Sequence, residues 1–398
     1  MLTRRCFIRS SAVAVAGAGL APSWLRAASQ ETKKKKILIA IFQRGAADGL
    51  NIVVPYFEQP YYDLRPGIAI PAPGSGRPNS AIDLDGRFGL HPQLQQLKPL
   101  WDSKQLAIVE ATGSPDPSRS HFEAQDYMEA GIPGNAAGDG WLNRAMQPEP
   151  GASTLRAIAV GAQLPRTLRG NWPAVAVNNL DQFKVHDQNS ADILQAMYAT
   201  TPDAKLHASG KETFEAVKMV DAINQKPYAP ANGAQYNNEF GRGLQQIARL
   251  IKADAGVEAA FADIGGWDHH SNEPGQLNGL LQQYGSALAA FVRDMGDRMD
   301  DIVLVTMSEF GRTVKEDGNN GTDHGHGNVM MVLGGPVRGG HIYGRWPGLA
   351  PDQLYENRDL AVTTDFRDVL GELVQKHLGQ STDKVFPGYK PGPALGLI

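Results

Sequence analysis

Short uninterrupted apolar runs alternate along this chain with longer stretches in which apolar residues recur every three or four positions. The first run, Ile37-Leu38-Ile39-Ala40-Ile41-Phe42, has no polar position and predicts a strand buried on both faces. Comparable runs predict strands at 106–109, 157–160, 174–177, 257–264, 302–306 and 329–333. Helical spacing predicts helices over 122–130, 191–198, 211–223, 244–253, 275–299 and 366–377, the last opened by a capping residue in Thr363-Thr364-Asp365. Residues 55–87 are rich in Pro, Gly and Tyr and predict irregular surface structure. Repeated units of strand, polar loop and helix predict an α/β fold, a large mostly parallel central sheet flanked by helices on both faces. Residues 28–398 read as a single domain, and the Pro/Gly-punctuated stretch around 137–240 reads as an insertion into it.

The first 27 residues follow a different pattern. Arg4, Arg5 and Arg9 precede an uncharged Ala/Gly/Val-rich stretch, and Arg26 follows it. The apolar part falls short of the ~20 residues needed to span a bilayer. The paired arginines before Phe7 resemble the twin-arginine signal, which predicts export by the twin-arginine machinery to the periplasm and removal after Ala27 or Ala28. No later stretch reaches spanning length without charges, so no integral membrane segment is expected in the mature protein. Loss of residues 1–27 removes four arginines and no acid, and the formal charge moves from -4 to about -8. Such an acidic protein is unsuited to general nucleic-acid binding, which depends on neutralising many phosphates. Cys6, the sole cysteine, lies within the signal, so the mature chain must be held by its core or by a metal.

Two polar loops carry the candidate chemistry. Asp268-His269-His270 follows a predicted strand and two glycines, and Asp323-His324-Gly325-His326 precedes another. Together they hold four of the ten histidines, with the mixed O/N donors that suit zinc, manganese or iron. If their strands are parallel neighbours, both loops come to the same edge of the sheet. Asp48 and Glu309, also at predicted strand ends, are the carboxylates to add; a turn residue and an ion pair with Arg312 are their respective structural readings. Ser118 and Ser120 precede a predicted helix, either as nucleophile candidates or as caps, and Arg119 and Arg44 are candidate forks for a phosphate or sulfate. His121, beside the serines, is a candidate ligand or acid.

An ordered set of motifs gives these residues a family context. Arg44-Gly45-Ala46-Ala47-Asp48-Gly49-Leu50-Asn51, Arg119-Ser120-His121-Phe122-Glu123-Ala124-Gln125-Asp126, Gly266-Trp267-Asp268-His269-His270, Ser308-Glu309-Phe310-Gly311-Arg312-Thr313, Gly321-Thr322-Asp323-His324-Gly325 and Thr364-Asp365-Phe366-Arg367 span nearly the whole mature chain. With them the chain resembles the exported bacterial proteins of the domain of unknown function 1501 family, often grouped with the alkaline phosphatase and sulfatase superfamily. The resemblance implies an alkaline-phosphatase-like fold, metals at the strand ends and a serine nucleophile region at Ser118 or Ser120. It also implies one or two divalent ions, zinc first with Mn, Ca or Mg as alternatives, held by Asp48, Asp268, His269, His270, Glu309, His324 and His326. Phosphate or sulfate esters, including sulfated or phosphorylated glycans, become the expected substrates. One departure weighs against a second metal: relatives carry Asp followed by His where this chain has Glu309 followed by Phe310, and a phenyl ring cannot coordinate. The competing expectation is a catalytically silent exported binding or assembly protein with one structural metal.

Overall fold

A computed structural model describes residues 35–135, 138–149, 152–184 and 188–398. The expected export signal and its processing site lie outside the described residues. The segment from Lys36 to Ile398 forms one compact unit. Its centre is a nine-stranded sheet in the order β11-β5-β10-β9-β1-β8-β6-β7, with β12 also paired to β5. The strands that position the site are β1 (Ile37–Gln43), β5 (Leu106–Gly113), β8 (Ala259–Ile264), β9 (Ile302–Met307) and β10 (Asn328–Gly334). The sheet is completed by β6 (Ala157–Val160), β7 (Val175–Val177), β11 (Ile342–Tyr343) and β12 (Thr364–Asp365). The strands β2 (Val53–Val54), β3 (Ile82–Asp83) and β4 (Gly89–Leu90) form a separate small sheet.

The apolar runs become strands because both sheet faces are covered. In β1, Ile37, Ile39 and Ile41 enter one core with Leu244, Ile247 and Ile251 of α4 (Glu239–Lys252) and Leu277, Leu281 and Leu288 of α5 (Glu273–Met295). Leu38, Ala40 and Phe42 enter the other core with Phe366, Val369, Leu370 and Leu373 of α6 (Phe366–Lys376). Burying each such side chain stabilises the fold by roughly 1.5–3 kcal/mol, which is why a run with no polar position is tolerated here. Asp365 caps α6 by accepting from the Arg367 N–H, as its position before the periodic stretch predicts.

Strand direction brings the loops together. β1 is parallel to β8 and β9, with Leu38 opposite Ala259 on one side and Val303 on the other. β10 runs antiparallel to both β9 and β5, so β5 points the same way as β1. The C-terminal ends of β1, β5, β8 and β9 therefore share one sheet edge with the N-terminal end of β10. The sequence expectation placed the second histidine loop there through parallel pairing; the loop reaches that edge by entering an antiparallel strand instead. Residues 157–160 and 175–177, within the expected insertion, supply two strands of the central sheet. The helices α2 (Gln188–Thr200) and α3 (Ala204–Asn224) follow, while α1 (His121–Ala130) begins after β5. Among the described residues no helix is long and apolar enough to cross a membrane.

Candidate metal centre

The loops at this edge approach so closely that some positions admit only glycine. Gly45 has φ +119°, and a Cβ there would lie 2.7 Å from the backbone N of Asp268. A Cβ at Gly325 would lie 2.3 Å from the carbonyl carbon of Arg312. Arg312, wholly buried, stitches the same loops: it donates to the carbonyls of Gly45 at 2.6 Å, Ala46 at 2.7 Å, Thr322 at 3.0 Å and Trp267 at 3.1 Å, and to Asp268 Oδ1 at 2.5 Å.

Three imidazoles and one carboxylate converge above this stitch. His324 Nε2 lies 3.0 Å from His121 Nε2, 3.1 Å from His270 Nε2 and 3.3 Å from Asp268 Oδ1. His270 Nε2 is 2.9 Å from Asp268 Oδ1, and His121 Nε2 is 3.5 Å from Asp268 Oδ2. Two donor groups able to hold a metal ion result, His121 with Asp268 and His324, and His270 with Asp323 and His324.

The tautomers make this convergence informative. His121 Nδ1 lies 2.8 Å from Glu309 Oε1, and His324 Nδ1 lies 2.9 Å from the Arg119 carbonyl. Both partners accept only, so both Nδ1 atoms carry the proton and the neutral rings turn Nε2 lone pairs toward each other. Lone pairs at 3.0 Å repel unless a proton or a cation lies between them. A tetrahedral zinc with bonds of about 2.0–2.1 Å sets its ligand atoms about 3.3–3.4 Å apart, close to the spacings here. The donor set fits a divalent ion.

Electrostatics follow the same geometry. Burial pushes the Asp268 carboxyl up, but the Arg312 guanidinium overrides it and holds the group down at about 2. The Glu309 hydrogen bond raises His121 above its ordinary 6.5, against the opposing effect of burial. Burial, then the neighbouring His121, lowers His324. The site stays open to solvent: side-chain exposure is 23% for His121, 21% for His324 and 46% for both Asp268 and His270.

Several expected site residues stand outside both donor groups. Glu309, buried, accepts from the Gly45 N–H, His121 and Gln125 through Oε1 and from Ser308 through Oε2, so both its oxygens are engaged and one of them orients the His121 ring. It does not pair with Arg312. Asp48 is buried in a two-pronged pair with Arg65 at 2.5 and 3.0 Å, which occupies both its oxygens. His269 turns into the interior, where neither ring nitrogen has a partner among the described residues. His326 stacks on Tyr355 at 4.4 Å and joins neither donor group.

Three of the four expected catalytic residues are likewise engaged. Ser118 donates to Glu123 at 2.7 Å. Ser120 is the N-cap residue of α1, although its side chain makes no capping bond. Arg44 is tied to Asp263, Gln125 and Glu129, and the Arg119 guanidinium to Glu356 and Asp359. Phe310 stacks on His121 at 5.0 Å, forming an apolar wall beside the donor cluster.

His121 was legible only as a ligand-or-acid candidate, and the stitching role of Arg312 was missed. The spacing of His121 and Gln125, four apart on α1, is the signal that would have linked both to Glu309.

Comparison with known proteins gives a family. The profile of a family described as "Protein of unknown function (DUF1501)" matches residues 100–385. No curated protein matches the chain. Similar solved structures include phosphonate monoester hydrolase SpPMH from Silicibacter pomeroyi, 12% identical, covering 91% of this chain and 77% of that one, with a TM-score of 0.39. The C-terminal periplasmic domain of EcEptC from Escherichia coli is 10% identical, covering 91% and 89%, with a TM-score of 0.38. Alkaline phosphatase from the Antarctic bacterium TAB5 is 10% identical, covering 77% and 93%, with a TM-score of 0.32. Likeness at these scores assigns no residue role in this chain.

Proposed function

We propose, for a chain that belongs to the DUF1501 family, a metal-dependent hydrolase of phosphate or sulfate esters, acting in the periplasm after twin-arginine export. The observation that carries this reading is the convergence of His121, His270 and His324 Nε2 with Asp268, with the outer nitrogens of His121 and His324 anchored. Three imidazoles and a carboxylate suit zinc first and manganese next, and are a poor set for calcium or magnesium, which prefer oxygen. Both donor groups share His324, and Asp48 and Glu309 are occupied elsewhere, which supports one ion rather than two. When bound, such an ion supplies Lewis acidity toward an ester oxygen and toward water.

The chain's own residues do the rest. Glu309 and the Arg119 carbonyl fix the tautomers of His121 and His324, and Arg312 keeps Asp268 ionised and aimed. With Ser118 committed to Glu123, water is the nucleophile this geometry favours, and Ser120 is the remaining serine candidate. Solvent access to the four donor side chains supports a catalytic centre over a closed structural one. The ester class itself is supported by the motif resemblance alone. One observation favours the silent alternative: the Asp48–Arg65 pair stands where the resemblance implies a metal-binding carboxylate.

The test is hydrolysis of chromogenic phosphate and sulfate monoesters by zinc-loaded full-length chain. Turnover lost in His324→Ala supports the hydrolase. A fully loaded protein that cleaves neither class supports the silent alternative.

A further inference from the structure

Recognition of an anionic ester calls for a cation beside the reacting centre. Around the histidine cluster most arginines are already spent. Arg312 and Arg65 are wholly buried and fully bonded, Arg44 is divided among Asp263, Gln125 and Glu129, and Arg119 binds Glu356 and Asp359 through Nη2 while its Nε is buried without a partner among the described residues.

Arg358 differs. Its Nε donates to Asp359 Oδ1 at 3.0 Å and its Nη2 to the His324 carbonyl. Asp323 Oδ2 stands 3.7 Å from Nη2, beyond hydrogen-bond reach. Among the described residues no hydrogen bond engages Nη1, and the side chain is 38% exposed. Asp323 in turn lies 3.9 Å from His270 Nδ1, so the guanidinium sits at the rim of the donor cluster.

Its placement is fixed rather than floppy. Arg358 closes a turn in which Glu356 and Asn357 have φ of 52° and 54°, a left-handed conformation that non-glycine residues adopt at a cost. Arg119 holds that turn through Glu356 at 2.7 Å and Asp359 at 2.6 Å, while its own carbonyl anchors His324. The Val314 N–H donates to the Arg358 carbonyl at 3.2 Å, tying the turn to the segment that follows Arg312. One residue, Arg119, thus positions both a donor histidine and the turn that carries the free guanidinium edge.

We infer that Arg358 is the anion-recognition residue of this centre, its Nη1 edge taking an oxygen of a phosphate or sulfate group presented to the histidine cluster. The inference rests on the proposed function for the identity of the anion. Guanidinium geometry matches both oxyanions, and a lysine would supply charge without the fork.

The experiment is calorimetric titration of zinc-loaded full-length chain with inorganic phosphate, and separately with sulfate. Wild type binds; Arg358→Ala binds roughly tenfold or more weakly with unchanged zinc content, and Arg358→Lys falls between. Arg358→Gln, which keeps a donor for Asp359, decides the matter if the alanine variant loses zinc or its fold. Wild-type-like titration by the zinc-loaded alanine or glutamine variant, or no anion uptake by zinc-loaded wild type, overturns the inference. Anion binding through Arg358 without ester cleavage removes the hydrolase and leaves the inference standing. Ester cleavage whose KM and phosphate inhibition ignore Arg358→Ala does the reverse.

Discussion

His121 and His324 face each other through their Nε2 atoms at 3.0 Å, each with its Nδ1 proton already given to an acceptor. The pair is stable with one shared proton or with a cation, and these two compete. At this place a proton and the proposed metal ion would compete for the same lone pairs.

The competition gives a pH dependence of known sign. An imidazolium cannot ligate, so metal affinity falls as pH is lowered through the histidine pKa values. The Glu309 bond raises His121 above 6.5, so competition begins at higher pH than for an ordinary imidazole. Glu309→Gln removes the charge, lowers the His121 pKa and is expected to move the pH midpoint of zinc uptake downward. Zinc uptake followed against pH in both proteins checks this; an unchanged midpoint contradicts it.

Asp48 should matter for stability and not for metal. Its pair with Arg65 is wholly buried, where burial pushes the carboxyl up and the guanidinium holds it below its ordinary value. Asp48→Asn takes the paired counter-charge from a buried guanidinium and leaves Glu273 as the neighbouring acid, which costs about 3 kcal/mol. A lowered urea midpoint with normal zinc content in the folded fraction is the expected result. Loss of zinc from folded protein would restore Asp48 as a ligand.

Ser118 is expected to act as a local tie, since its hydroxyl donates to Glu123. Ser118→Ala forfeits the hydrogen bond to Glu123 and the one accepted from the Ser120 N–H, each about 1 kcal/mol. Ester turnover and zinc content should stay close to wild type. A loss of turnover of about a thousandfold in a folded, zinc-loaded variant would mark the hydroxyl as a reacting group.

Much of the frame was legible because buried parallel strands leave an unmistakable apolar run, as 37–42 and 302–306 do. The Asp268-His270 loop and His324 were legible too, since donors next to strand ends with glycine neighbours are few. Asp48, Glu309 and His326 looked equivalent to those donors because residue type and position at a strand end say nothing about which partner arrives first. Arg65 reaches Asp48 from 17 residues away, and Gln125 and His121 reach Glu309 from α1. The antiparallel course of β10 was likewise hidden, because an apolar run has no direction until its neighbours are known.

The central claim is that His121, His270, His324 and Asp268 hold one divalent ion. The most direct test is elemental analysis of full-length chain purified without chelator and then equilibrated with zinc at neutral pH, beside His324→Ala. One zinc per wild-type chain and none in the folded variant is the predicted result. Folded wild-type protein that retains neither zinc nor manganese, or a variant that binds as wild type does, contradicts it.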